Sequence, residues 1–185
     1  MRRLSGTLAA LILAFAGLAA TTTPAAGAGP APARAPAGEC SVTWGSGVKA
    51  EWDSDYKPLV NIRSGRHDCY DRLVFDIDGT AADRIGYYVR YVSQLRQDGS
   101  GDLIPVKGGA ILEVVAFAPA YDPETMEPTL PGVRLNVDGY RTFRDVVVAG
   151  SFEGQTQVGL GVRARLPFRV FQTADHLVVD VAHTW

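Results

Sequence analysis

The chain has 185 residues, 46% of them hydrophobic, with 18 basic and 20 acidic side chains and a formal net charge of −2. That balance argues against a nucleic-acid partner, which calls for a basic surface, and gives no pull toward anionic membranes. No apolar run reaches the roughly 20 residues that a membrane-spanning helix takes.

The first 28 residues read as an address. Arg2 and Arg3 form a positive start, Leu8 to Ala20 is an apolar run of thirteen residues, and Ala26-Gly27-Ala28 fits a small-x-small cleavage site. This pattern predicts a secretory signal peptide over residues 1–28. The arginine pair lacks the fuller twin-arginine context, so ordinary unfolded export is expected. A lipoprotein signal needs a cysteine directly after the apolar run. Cys40 lies twenty residues past Ala20, so no lipid anchor is expected. Residues 29–39 are rich in proline and alanine and read as an extended linker. Residues 40–185 make one domain's worth of chain. Removing residues 1–28 takes away two arginines and no acid, which leaves a charge of −4.

Both cysteines lie beyond the signal. In an oxidising compartment two cysteines of one small domain pair, so a Cys40–Cys69 disulfide is expected. Closing a loop of about 30 residues stabilises by roughly 3–4 kcal/mol in the chain-entropy account.

The elements that follow are nearly all β. Val60 and Ile62 alternate, as do Leu73, Phe75 and Ile77, and then Tyr87, Val89 and Tyr91. Asp98-Gly99-Ser100-Gly101 marks a turn before a return strand over Leu103 to Val106. Ala110 to Ala118 is a longer apolar strand. Pro119 to Pro131 carries four prolines and reads as a loop, since proline cannot donate to a ladder. Short strands follow at Val133–Val137 and Val146–Val148. The alternation from Val158 to Val170 is one long bent strand or two strands joined at Pro167. Leu177, Val179 and Val181 end the chain. About nine strands separated by turns predict a single all-β domain, an antiparallel β-sandwich. One internal echo stands out. Asp71 to Asp78 reads DRLVFDID and Asp175 to Ala182 reads DHLVVDVA, which suits two equivalent sandwich strands with leucine inward and aspartate outward.

Several patterns evoke chemistry. Val74 to Thr80 matches the D-x-D-G-T nucleophile loop of haloacid-dehalogenase-type phosphatases, with Asp76 as nucleophile and Asp78 as acid/base. That chemistry needs a parallel sheet, crossover helices and a later acidic pair. Here only 105 residues follow Thr80, Lys107 is their only lysine, and Ala81 to Val92 alternates as a strand. Asp78-Gly79 reads better as a turn. Ser64, His67 and Asp68 form a local cluster without the geometry a triad demands, and there is no G-x-S-x-G elbow. His67, His176 and His183 show no zinc spacing. Asp53, Asp55, Asp76 and Asp78 lack a calcium loop. No catalytic residue, metal or cofactor is assigned, and no enzyme activity is expected.

The C-terminal third is richer in arginine. Arg163, Arg165 and Arg169 fall opposite Val162, Ala164, Leu166 and Phe168 in the alternating stretch. A set of guanidinium groups suits carboxylates or phosphates, and Tyr140 and Phe171 lie near in sequence as rings that could stack on sugars.

The stretch GRHDCYDRLVFDIDG at Gly65–Gly79, the block GSFEGQTQVGLGVRARLPFRVF at Gly150–Phe171 and the closing LVVDVAHTW at Leu177–Trp185 resemble the actinobacterial secreted proteins with an AMIN-like (amidase N-terminal-like) domain. The resemblance covers most of residues 40–185. It implies a β-sandwich at the cell envelope with a targeting or peptidoglycan-binding role, hydrolysis belonging to a separate domain. It supplies no catalytic residues. The expected partner is therefore a cell-wall polymer, peptidoglycan or an anionic glycopolymer, held by Arg163, Arg165 and Arg169. An exported adaptor or inhibitor that contacts an envelope protein through the Pro119–Pro131 loop is the alternative.

Overall fold

The structure, a computed structural model, describes residues 40–54, 57–79, 84–122, 124–130 and 134–185. The signal peptide and linker read from the sequence lie outside the described residues. In chain order the strands are β1 (Lys49–Ser54), β2 (Leu59–Arg66), β3 (Tyr70–Ile77), β4 (Ile85–Val92), β5 (Leu95–Arg96), β6 (Leu103–Ile104), β7 (Ala110–Ala116), β8 (Arg134–Leu135), β9 (Phe143–Phe152), β10 (Gln155–Val162), β11 (Phe168–Thr173) and β12 (His176–Ala182). The strands expected over Leu103–Val106 and Val133–Val137 are the two-residue β6 and β8, and the strands not expected from the sequence are β1 and β5. Among the described residues there is no helix, and so none long and apolar enough to cross a membrane.

Every pairing is antiparallel. Six strands form one sheet in the order β1-β4-β7-β10-β9-β8, four form a second in the order β11-β12-β3-β2, and β5 pairs with β6. The period-2 pattern of the sequence dictates what meets between the two large sheets. Leu73, Phe75 and Ile77 of β3 and Leu177, Val179 and Val181 of β12 join Val89, Leu112, Val114, Val158 and Leu160 in one buried cluster. The all-β sandwich expected from the alternation is the architecture found.

The long alternation from Val158 to Val170 is two strands in different sheets. Residues 163–167 bend, so that β10 belongs to the six-stranded sheet and β11 to the four-stranded one. Tyr91 fixes the bend: its hydroxyl donates to the Leu166 carbonyl at 2.8 Å and accepts from the Leu166 N–H at 3.0 Å. The side-chain amide of Gln172 joins the two sheets again, accepting from the Ile85 N–H at 3.0 Å and donating to its carbonyl at 2.9 Å.

Two differences from the sequence reading concern strands of the larger sheet. β1 was not expected, because its apolar positions are few and charged residues separate them. β9 runs over ten residues rather than three. The outward positions of β10 also carry a constraint. A Cβ on Gly161 would lie 1.8 Å from the Lys107 carbonyl oxygen, and one on Gly159 would lie 2.5 Å from Leu95 Cδ2. The segment bearing β5 and β6 therefore lies directly on β10, and glycine is the residue that lets it.

Cys40 and Cys69 are bonded, with Cα atoms 5.1 Å apart. The bridge fastens the first described residue to the start of β3. Replacing both cysteines by serine should lower unfolding free energy by about 3–4 kcal/mol. Gly161→Ala should lower it by about 2–3 kcal/mol, because the opposing atom is backbone and cannot turn aside. Urea denaturation of the purified variants checks both, and an unchanged midpoint for either would contradict the packing described.

Candidate functional site

The outer face of the four-stranded sheet is built by register. Arg169, Asp180, Arg72 and Gly65 lie in one cross-strand row, Phe171, Val178, Val74 and Arg63 in the next, and Thr173, His176, Asp76 and Asn61 in the third. Val74 and Val178 are buried although they point outward. The sequence echo has its explanation here. Its two copies are neighbouring antiparallel strands whose central valines, Val74 and Val178, are direct partners. Each copy thereby sets its aspartate against a basic residue of the other: Asp180 faces Arg72 and Asp76 faces His176.

Asp180 is 0% exposed. Arg72 grips it from β3 with Nε at 2.7 Å from Oδ1 and Nη2 at 2.9 Å from Oδ2. Arg169 grips it from β11, with Nε and Nη2 each 2.8 Å from Oδ2. A carboxylate in such a place persists only when paired and hydrogen-bonded. Hydrogen bonding to Asp180 holds Arg72 above the ordinary arginine value, against the opposing pull of burial. Aromatic rings bed the two guanidinium groups. Arg169 lies 4.5 Å from the Trp44 ring centre, 5.0 Å from Phe171 and 5.5 Å from Tyr70, and Arg72 lies 5.2 Å from Tyr70 and 5.4 Å from Phe171. Planar guanidinium groups stack on such faces while an edge keeps its N–H donors.

Arg163 and Arg165 sit at the rim of this face, on the bend. Arg163 Nη2 donates to the His183 carbonyl. Arg165 donates from Nε to the Ser46 hydroxyl at 3.3 Å and from Nη2 to the Ser46 carbonyl at 3.2 Å, and lies 5.0 Å from the Tyr91 ring centre. It also borders a cleft of about 420 Å³ lined by Tyr91, Ser93, Val106, Gly108 and Ala110. Both side chains are exposed, and neither pairs with an acid among the described residues. Trp185, 68% exposed, donates its indole N–H to the Arg165 carbonyl at 3.2 Å. The three predicted arginines thus gather around the bend rather than along one strand. Of the two rings singled out in the sequence, Phe171 takes part. Tyr140 instead stacks on Phe143, with ring centres 5.7 Å apart.

The other candidate residues have structural employment. Asp76 accepts from Arg63 Nε at 3.0 Å and Asn61 Nδ2 at 2.9 Å, with His176 Nδ1 at 3.1 Å. Asp78 lies in the turn after β3, where its N–H donates to the Pro58 carbonyl at 2.9 Å. Ser64 accepts from the Tyr140 hydroxyl at 2.9 Å, and His67 stacks on Tyr70. His183 is buried, with Nε2 3.0 Å from the His67 carbonyl oxygen and Nδ1 2.8 Å from the Thr142 hydroxyl. Buried Asp71 accepts the Thr142 and Phe143 N–H groups beside it, at 2.6 and 3.1 Å. Among the described residues no group of three or more His, Cys, Asp or Glu side chains is placed to hold a metal. In the Pro119–Pro131 loop, Asp122 accepts the N–H groups of Glu124 and Thr125 at 2.8 and 3.0 Å, which holds its carboxyl below the ordinary range.

These features define the class: a disulfide-fastened antiparallel β-sandwich with an outer face rich in arginine and aromatic side chains. Residues 57–183 match the family model of the AMIN-like domain, and the chain belongs to that family. AMIN-like domains are in general non-catalytic binding domains associated with the cell wall. Comparison with curated proteins and with solved structures found no match.

Sequence reasoning did not find Asp180, Arg72 or Trp44. The echo carried the signal for the first two, since it placed Asp180 in the same role as Asp76. Replacing Arg72 and Arg169 together by leucine strands the buried carboxylate and should cost about 3–5 kcal/mol. Adding Asp180→Leu to that pair should restore most of the loss. Urea denaturation reads both, and a triple variant no more stable than the double would contradict the clamp.

Proposed function

We propose that the protein is an exported module without chemistry of its own, which attaches to the cell envelope by holding an anionic cell-wall polymer, peptidoglycan or an anionic glycopolymer, on the arginine–aromatic face. One observation carries the reading. Arg163 and Arg165 hold charges that no acid among the described residues neutralises, beside a pair of arginines that share a single carboxylate. The face is therefore locally positive on a domain whose net charge is −4. Guanidinium groups donate in pairs to carboxylate or phosphate oxygens. The rings beneath them offer flat surfaces for the sugar portion of the same polymer. Family membership supports the address, and the disulfide supports an oxidising compartment.

The purified protein should sediment with purified cell wall at low salt and release as salt rises, because exposed charges are screened. Replacing Arg163, Arg165 and Arg169 by alanine should leave the protein in the supernatant. Arg72 still holds Asp180 in that variant, so the fold survives, which circular dichroism verifies. Absence of sedimentation at low salt, or full retention of the triple variant, would overturn the reading.

A further inference from the structure

The outer face of the six-stranded sheet carries a different set of side chains. Register puts Ala50, Tyr88, Val115, Gln157 and Gly150 in one row across β1, β4, β7, β10 and β9. At the β1 end Trp52 is 76% exposed and packs 5.4 Å from Phe117 and 6.1 Å from Tyr88 between ring centres. Gly86 makes room for this platform, since a Cβ there would meet the Phe117 ring at 2.1 Å. At the β9 end Phe152 is 51% exposed. It precedes a two-residue turn in which Glu153 and Gly154 have φ of 47° and 81°, the conformation that closes a tight hairpin. Four strand spacings, about 19 Å, separate the two ends.

Beside Phe152 lies a cleft of about 380 Å³ lined by Gln97, Asp98, Ser100, Ser151 and Gln155, with Gln157 at its base. Gln157 is buried and fixed. Its Nε2 donates to the Arg96 carbonyl at 2.9 Å and to Glu113 at 2.8 Å, and its Oε1 accepts the Asp98 N–H at 3.1 Å. Gln97 donates to the Ala149 carbonyl at 2.8 Å and accepts from the Ser100 hydroxyl at 3.0 Å. Among the described residues the Asp98 carboxylate and the Gln155 amide take part in no hydrogen bond. Burial raises the Asp98 carboxyl above its ordinary value. No lysine or arginine lines the cleft.

We propose that this cleft binds an uncharged pyranose ring, and that the aromatic platform at Trp52 continues the site for an extended glycan chain. An anionic ligand would meet Asp98 with no lysine or arginine in the cleft lining to offset it, since Arg90, whose charge reaches Asp98, is already paired with Glu113. A purely apolar one would cover Asp98 and Gln155 and leave them unpaired, at a cost in desolvation. A sugar satisfies both: its hydroxyls donate to the carboxylate and exchange hydrogen bonds with the amide, while its C–H face lies against the negative face of the Phe152 ring. A concave site with few convergent polar groups and one aromatic wall is the usual form of a small-ligand pocket. This site is separate from the arginine face and does not depend on it.

The test is amide-resolved NMR of the purified protein, titrated with the tetramer of N-acetylglucosamine and, separately, with maltotetraose. Both probes are uncharged, one bearing acetamido groups and the other hydroxyls alone. The expected result is shifts at residues 97–100 and 150–157 with at least one probe, extending to the Trp52 indole, and unaltered by salt. Phe152→Ala and Asp98→Asn should each weaken binding by about tenfold. Both positions are exposed, and either variant alone decides should the other fail to fold. No shift up to about 10 mM of either probe, or shifts that a folded variant leaves unchanged, would overturn the proposal. Salt-sensitive retention on cell wall is a separate observable, so failure here leaves the arginine-face reading to its own test.

Discussion

The carboxylate of Asp180 is the constraint on which the arginine–aromatic face depends. It lies wholly out of solvent in the middle of β12, on the side of the sheet that does not face the core. A bare charge there would be untenable, so the strands on either side each supply an arginine. Those arginines cannot swing freely, because Asp180 holds one edge of each. The rings of Trp44, Tyr70 and Phe171 then find fixed guanidinium planes to pack against. One buried acid thereby orders two basic groups and three aromatic ones. Asp76 repeats the arrangement two rows away with Arg63 and His176, in a more open setting.

The first and last of the described residues are fastened around the same face. The disulfide brings Cys40 to Cys69, the segment through Trp44 runs past β11, and the Phe168 N–H donates to the Gly45 carbonyl at 2.9 Å. Asp71, Thr142 and His183 tie the last strand to the loop before β9, and the His183 N–H donates to the Cys69 carbonyl at 3.0 Å. The bend that carries the chain from β10 to β11 passes between these fastenings. Arg163 and Arg165 lie on it, which is why they stand at the rim rather than within a strand. The cleft on the opposite sheet has no lysine or arginine in its lining, which offers a ring, amides, hydroxyls and the Asp98 carboxylate.

Much of this was legible before any coordinates. Alternation of Leu73, Phe75 and Ile77, and of Leu177, Val179 and Val181, reports burial on one face, and that property belongs to each strand alone. The disulfide was expected from two cysteines together with the export read from the first 28 residues. What stayed hidden depends on pairing. The alternation from Val158 to Val170 runs straight through a bend, because both halves keep an inward apolar set while changing sheets. Asp180 looks like any strand aspartate until register puts Arg72 on one side and Arg169 on the other. The resemblance of Asp76 and Asp78 to a nucleophile loop dissolves for the same reason: Asp76 is occupied by Arg63, Asn61 and His176, and Asp78 belongs to a turn. The glycines of β10 read as gaps in a pattern, whereas their role is to admit the Lys107 carbonyl and Leu95.

The central claim is that the arginine–aromatic face meets the cell wall, and hydroxyl-radical footprinting of the protein with and without purified cell wall tests it most directly. The account predicts that Trp44, Tyr70, Phe171 and Trp185 lose reactivity when the wall is present and regain it at high salt. Wall-bound protein in which those four rings react as they do in free solution would contradict it.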